Sequence, residues 1–310
     1  MATSETVRRE DFVTSVLAKC ESLVQAGLWP GEPTIRPRGW LRNFSADEQV
    51  PAAAILDSFV FFSDLAVESL LKAAFESLLR TQRGPFATTA VSTAQASMKA
   101  FLQSAIVTRV EGEDPNPTDS GNLMCRKARQ HLGIPESQIA EPSEALEAAR
   151  HGSAIVFTDD FVGSGQQMLK TWGRQYSTSS PRSFAEAYRI SPFAVSYVAL
   201  VCTHTARRNL ASLPITIHSA HCLDDRYAVP SCSAEGAARA FPGVADEMVQ
   251  LLKKNSYRLK LPLYMTVKDF DVFGFHKLAL ALAFSHSVPD ASLPVLWADG
   301  DDFTALVPRV

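Results

Sequence analysis

Two adjacent carboxylates, Asp159 and Asp160, follow a run of apolar residues and precede a short glycine-rich stretch. The sequence around them reads SAIVFTDDFVGSGQQ over residues 153–167. A short β-branched and aromatic run bounded by a glycine and an acidic pair predicts a buried strand of a parallel sheet. Open α/β sheets bind their ligands outside the carboxyl ends of the strands, so these carboxylates lie where a ligand is expected.

The turn after the carboxylates consists of Gly163, Ser164 and Gly165, and a predicted helix over residues 166–176 follows it. Such a turn lets several backbone N–H groups point at one spot, at the positive end of the helix dipole, and this arrangement binds phosphate. The alternative is an ordinary strand–turn–helix unit in which Asp159 and Asp160 are solvated at the turn.

The order of apolar run, Asp-Asp, two apolar residues and small-Ser-Gly turn resembles the diphosphoribosyl-binding motif of type I phosphoribosyltransferases. This resemblance implies that the two carboxylates hydrogen-bond the ribose hydroxyls and hold Mg²⁺, directly or through water, and that the loop surrounds the 5-phosphate. The implied ligand is phosphoribosyl pyrophosphate or a related ribose phosphate or nucleotide. The residues implied for ribose and phosphate are Asp159, Asp160, Phe161, Val162, Gly163, Ser164, Gly165, Gln166 and Gln167.

A second polar stretch, residues 111–122, is rich in turn formers and precedes a predicted helix over residues 123–131. In phosphoribosyltransferases the loop after the first sheet strand binds pyrophosphate, so the resemblance implicates Ser120, Gly121 and Asn122. Arg126 or Arg129 on the helix would add charge-assisted hydrogen bonds to the pyrophosphate. The alternative is a solvated loop followed by a basic helix face.

The elements that must position these residues alternate between strands and helices, which predicts a Rossmann-like, mostly parallel α/β sheet. Helices are expected before the first strand; one of them begins at a capping box of Ser45 and Glu48 and extends to about residue 62. We therefore expect an N-terminal helical cap over residues 1–95, packed on an α/β domain over residues 96–310, as one integrated domain.

Composition excludes several classes of protein. The net charge of −3 over 310 residues leaves no global basic surface for nucleic acid, and nucleic acid stays open as a partner only through a local basic patch. No apolar run approaches the ~20 residues that a membrane helix needs. The five cysteines have irregular spacing, which favours reduced thiols in the cytoplasm over a disulfide framework. His218, His221, Cys222 and Cys232 match no closed zinc pattern, and we expect no zinc there.

The C-terminal third strengthens the resemblance and narrows it. With the upstream WLRNF at residues 40–44, it is similar to a phosphoribosyltransferase-like family described from bacterial conflict systems, PRTase-CE. The resemblance covers residues 40–309 and implies a role in antiviral defence, with other defence proteins as partners. The segments that carry it are FGF (273–275), KLALALAF (277–284), HSVP (286–289), LPVLW (293–297) and PR (308–309).

The sequence also departs from ordinary salvage phosphoribosyltransferases. Gln166 and Gln167 stand where those enzymes usually have a Gly or Lys followed by a hydroxyl residue, and Gly163 stands where purine enzymes often carry an acid/base Asp. Two hypotheses therefore remain. The protein is an enzyme that transfers or hydrolyses at ribose C1, or it is a sensor that binds the same ligand without turnover. A structural scaffold is a third, weaker alternative.

Overall fold

The computed structural model describes residues 4–81, 96, 99–101, 103–112, 120–229, 237, 241–261 and 270–309. These residues form two compact units. The central unit comprises Ala66–Asp224, and the terminal unit comprises Met1–Leu65 together with Asp225–Val310. The predicted boundary between a helical region and the α/β domain at residues 95 and 96 stays a prediction. Cys232, one of the residues considered for zinc, lies outside the described residues.

Helices and strands alternate through most of the described chain. Their bounds are α1 Ser4–Gln25, α2 Pro37–Leu41, α3 Gln49–Asp57, β1 Val60–Phe62, α4 Asp64–Thr81, β2 Ile106–Arg109, α5 Ser120–Leu132, α6 Pro142–Arg150, β3 Ile155–Val162, α7 Gln166–Gly173, α8 Phe184–Ile190, β4 Val195–Thr203, α9 His204–Leu210, β5 Thr216–Leu223, α10 Val244–Asn255, β6 Phe270–Asp271, β7 Gly274–Phe275, β8 Leu282–Phe284 and α11 Pro294–Trp297.

The central unit is built on a four-stranded sheet of order β2-β3-β4-β5. All neighbouring strands pair in parallel, which confirms the predicted α/β fold with a parallel sheet. Asp159 of β3 lies opposite Ala199 of β4, which lies opposite Ser219 of β5. Strand β4 is buried along its whole length, so the middle of the sheet is covered on both faces, whereas most residues of the edge strand β5 are half-buried or exposed.

Helix α7 is held to the sheet by aromatic packing. Met168 and Trp172 are four positions apart and are both buried, so they lie on one face of the helix. Trp172 stacks on Phe184 of α8, and Phe184 meets Phe157 of β3 edge to face at 5.0 Å between ring centroids. This contact fixes the helix that begins directly after the glycine turn.

In the terminal unit, the helix expected to extend to about residue 62 ends at Asp57, so that expectation was wrong. The residues after it form β1, which pairs in parallel with β8. Phe62 stacks on Phe284 across this pair, with ring centroids 5.0 Å apart. Two consecutive phenylalanines fit a strand better than a helix, since aromatic side chains pack well across paired strands.

Within the described residues, no helix combines the length and the apolar character needed to cross a membrane.

Candidate functional site

The two carboxylates lie near the carboxyl end of β3 and are almost completely buried. Asp159 is 3% exposed and Asp160 is 5% exposed. The alternative in which both are solvated at a turn is therefore wrong. A carboxylate is buried only where other groups compensate it, so its partners determine what it can do.

Asp159 accepts hydrogen bonds from three different parts of the central unit. Its Oδ1 accepts from the Ser120 hydroxyl at 3.1 Å and from the backbone N–H of Asp160 at 2.9 Å. Its Oδ2 accepts from the Tyr197 hydroxyl at 3.1 Å. One carboxylate thus connects the first residue of α5, strand β3 and strand β4.

Burial and the neighbouring charge shift the protonation of these groups. Burial, and then the charge of Asp160, raise the pKa of Asp159 well above its usual value. Burial and the charge of Asp159 also raise the pKa of Tyr197, so its hydroxyl keeps its proton and remains a donor. The Asp159 carboxyl therefore keeps a proton to a higher pH than an exposed aspartate does.

The glycine turn has the backbone conformation that its sequence suggests. Gly165 has φ +80° and is the residue before the first turn of α7. A Cβ on Gly165 would lie 2.9 Å from Cγ of Leu210, so both the backbone and the available space require glycine. The Ser164 hydroxyl accepts from the backbone N–H of Gln166 at 3.3 Å.

Thr203 and Asn209, two residues outside the motif, support this turn, and the sequence did not indicate either of them. The Thr203 hydroxyl donates to the Gly163 carbonyl and also accepts from the Ala206 N–H at 3.0 Å, which caps α9. The Asn209 amide donates to the Ser164 carbonyl at 2.9 Å. A threonine at the end of a predicted strand, directly before a helix, is the signal that could have indicated Thr203.

The remaining motif residues have different surroundings. Val162 is buried in the apolar cluster of the central unit, and Phe161 is half-buried. Gln167 is exposed and Gln166 is half-buried, both in the first turn of α7. Two glutamine side chains thus lie at the end of the helix where an anion is favoured.

The residues expected to bind pyrophosphate lie in the first turn of α5, not in the loop that the sequence predicted for them. Ser120 contacts Asp159, as described above. A Cβ on Gly121 would lie 2.8 Å from Cβ of Arg109 and 2.9 Å from the Val110 carbonyl oxygen, so the helix start packs closely on the end of β2. Asn122 is half-buried in the same turn.

The two arginines proposed for pyrophosphate lie further along α5, and both are exposed. Arg129 forms an ion pair with Glu136 at 3.0 Å. The structure thus brings Ser120 to the carboxylate pair, whereas Arg126 and Arg129 have no contact with Asp159 among the described interactions.

The described residues contain no group of three or more His, Cys, Asp or Glu side chains placed to hold a metal ion. Two carboxylates alone still suit Mg²⁺, which usually keeps several waters and binds one or two carboxylates together with substrate phosphates.

Among the described cysteines, the free thiols are Cys20, Cys125, Cys202 and Cys222.

Removing the Tyr197 hydroxyl tests the contact with Asp159. Tyr197→Phe deletes one donor to a buried carboxyl and is expected to lower the free energy of unfolding by about 1 kcal/mol. Urea denaturation measures this change. Tyr188→Phe makes the same chemical change on α8, where the ring packs on Phe193, and is the control. Equal effects of the two substitutions would contradict a specific contact.

A parallel α/β sheet with paired carboxylates at a strand end, followed by a glycine turn and a helix, defines a phosphoribosyltransferase-like protein. The model of the PRTase-CE family matches residues 37–309. The chain therefore belongs to this family.

Comparison with solved structures finds two matches at low sequence identity. The orotate phosphoribosyltransferase from Aeropyrum pernix is 14% identical, with 53% of this chain and 73% of that chain covered and a TM-score of 0.27. A hypothetical protein from Neisseria gonorrhoeae with bound ppGpp is 12% identical, with 54% and 84% covered and a TM-score of 0.31. Among curated proteins no match is found.

Proposed function

We propose that the central unit binds phosphoribosyl pyrophosphate, or a related ribose phosphate or nucleotide, together with Mg²⁺, and acts at ribose C1. The observation that carries this proposal is that the buried carboxylates near the end of β3 are followed closely in the chain by the glycine turn at the start of α7.

Each part of the site has a defined role in this proposal. Asp159 and Asp160 accept from the ribose hydroxyls and hold Mg²⁺, directly or through water. The metal supplies charge neutralisation at the pyrophosphate. The phosphate contacts Ser164 and the backbone N–H groups at the start of α7, with Gln166 and Gln167 as amide donors. Ser120, Gly121 and Asn122 face the pyrophosphate, with Arg126 or Arg129 adding charge.

In the proposed reaction, the bond from ribose C1 to the pyrophosphate oxygen breaks and a bond from C1 to the acceptor forms. The pyrophosphate leaves with the bonding electrons, and the transition state resembles an oxocarbenium ion. The residues contribute positioning and electrostatic stabilisation, which are large terms in such reactions. From the family we also propose that the protein is an effector in bacterial antiviral defence and acts with other defence proteins.

The test is calorimetric titration of phosphoribosyl pyrophosphate with and without Mg²⁺. We expect binding that depends on Mg²⁺ and is lost in Asp159→Asn/Asp160→Asn. Glu147→Gln, an exposed carboxylate of α6 in the same unit, is the control and should bind like the wild type. No binding by the wild-type protein at millimolar ligand would overturn the proposal.

The alternative is a sensor that binds the same ligand without turnover. Asp159 favours this alternative, because three donors already contact its carboxylate and leave it little room to contact an acceptor substrate. Assaying pyrophosphate release in the titrated sample separates the two functions. Release that depends on the Asp pair indicates an enzyme, and binding without release indicates a sensor.

A further inference from the structure

A partly buried ionic network lies beside the candidate site and has no role in the function proposed above. Its centre is Glu111, which follows β2 and is 7% exposed. Glu111 Oε2 accepts from Arg174 Nη1 and from the Tyr176 hydroxyl, both at 2.8 Å. Glu111 Oε1 accepts from Arg109 Nη2 at 3.4 Å.

The same network includes the backbone. Arg174 Nη2 donates to the Gly112 carbonyl at 2.9 Å, and the backbone N–H of Glu111 donates to the Thr171 hydroxyl at 3.1 Å. Thr171 is in the last turns of α7, and Arg174 directly follows that helix. The far end of the helix that begins at the phosphate turn is thus bonded to the chain leaving β2.

Arg109 extends the network to the candidate pyrophosphate residues. Its Cβ lies directly against Gly121, where an added Cβ would be only 2.8 Å away. A continuous series of contacts therefore leads from Gly121 through Arg109, Glu111 and Arg174 to α7. One end of this series is the start of α5, and the other is the helix that carries the phosphate turn.

Stability alone does not account for this arrangement. A buried ion pair is often no more stabilising than an apolar cluster of the same volume, because the charges must lose their hydration. A network of hydrogen-bonded charges does, however, fix the geometry of the elements it joins. Burial and the neighbouring Glu111 raise the pKa of Tyr176, so its hydroxyl stays protonated and keeps its bond to the carboxylate.

We propose that Glu111 and Arg174 are positioning residues that hold the phosphate turn and the start of α5 at the separation required by a ligand that contacts both. This inference rests on the proposed function. It predicts that the three ligands respond differently. Phosphoribosyl pyrophosphate contacts both the phosphate turn and the start of α5. Ribose 5-phosphate and pyrophosphate each contact only one of these two elements, so their affinities do not depend on the separation between them.

The test uses the full chain with Arg174→Lys, which keeps the charge but loses the paired guanidinium contacts to Glu111 and Gly112. Calorimetry with Mg²⁺ measures the affinities for phosphoribosyl pyrophosphate, ribose 5-phosphate and pyrophosphate. We expect the affinity for phosphoribosyl pyrophosphate to fall about tenfold or more, because the two elements are no longer held at the required separation. The affinities for ribose 5-phosphate and for pyrophosphate should change less than about threefold.

Arg150→Lys is the matched control. Arg150 also bonds a glutamate and backbone carbonyls, and its side chain is 20% exposed, against 23% for Arg174. It lies outside the network, so its substitution should leave all three affinities unchanged. Tyr176→Phe removes a single hydroxyl bond and tests the same network if Arg174→Lys does not fold; we expect about a threefold loss for the spanning ligand alone.

The outcomes are distinguishable. Selective loss of affinity for phosphoribosyl pyrophosphate supports the positioning role. Equal weakening of all three ligands, or no weakening in a folded variant, overturns it and leaves the proposed function standing. If the wild-type protein binds none of the three, the proposed function fails and the positioning role fails with it.

Discussion

Gly165→Ala is expected to destabilise the central unit by about 2–4 kcal/mol and to reduce ligand affinity at least tenfold. Gly165 has φ +80°, a conformation that alanine adopts only at a cost. The added Cβ would also lie 2.9 Å from Cγ of Leu210, which is buried and 1% exposed. The two penalties add because one concerns the backbone and the other the packing.

The loss of affinity follows from the same geometry. The turn can relieve the contact with Leu210 only by moving, and that movement shifts the N–H groups at the start of α7 away from their common direction. Thermal or urea denaturation measures the stability, and titration of phosphoribosyl pyrophosphate with Mg²⁺ measures the affinity.

Gly173→Ala is the matched control, since Gly173 ends the same helix. A Cβ there meets nothing within 4 Å, and the residue is exposed. Alanine is the better helix former by about 1 kcal/mol in helix interiors, so this substitution should be neutral or slightly stabilising. If both glycines respond alike, the specific requirement at Gly165 is refuted.

The local part of the candidate site could be predicted from the sequence. The apolar run, the acidic pair and the glycine turn are adjacent in the chain, and each has a strong local preference. The strand therefore forms as expected, and the helix begins at the predicted residue 166 but ends at Gly173 instead of residue 176. The end of α3 was less predictable. The residues of β1 pair with β8, and no local sequence pattern predicts pairing with a strand so distant in the chain.

The residues that complete the site were missed for the same reason. Tyr197, Thr203 and Asn209 come from the next strand and helix, and they reach the acidic pair and the turn only because β4 pairs with β3. Glu111 and Arg174 are likewise joined only through the fold. The spacing of residues in the sequence indicates which residues could bind the ligand. The topology of the sheet determines which other side chains hold those residues in position.

The start of α5 shows how the two kinds of information combine. The sequence placed Ser120 and Gly121 in a loop because turn formers surround them. In the structure they begin a helix, which Ser120 attaches to Asp159 and which Gly121 allows to approach β2 closely. A ligand that contacts both carboxylates and α5 would therefore meet residues already connected in its absence.

Asp159→Asn is expected to make the protein more stable and less able to bind its ligand. Burial and the charge of Asp160 raise the pKa of Asp159 well above that of a free aspartate, so ionising it in the folded state is unfavourable. An amide avoids this cost. Both neighbouring hydroxyls, on Ser120 and Tyr197, can donate or accept, so they can bond the amide as well.

The sign of the pH dependence follows from the raised pKa. In the unfolded chain the carboxyl loses its proton near pH 3.9, whereas the folded protein retains it to a higher pH. The wild-type protein therefore loses stability as pH rises from about 4 towards the folded pKa, and asparagine does not titrate. The stability difference between variant and wild type should be small near pH 4 and grow towards neutral pH.

Urea denaturation across this pH range, combined with ligand titration, measures both effects. We expect Asp159→Asn to raise the free energy of unfolding at pH 7 by about 0.5–2 kcal/mol, the usual size of a single stabilising substitution, and to lose Mg²⁺-dependent binding. Glu147→Gln, an exposed carboxylate in the same unit, should change neither quantity. If the variant is less stable than the wild type at pH 7, Asp159 stabilises the fold. If the variant is more stable and no longer binds, the buried carboxylate of Asp159 destabilises the fold and serves ligand binding.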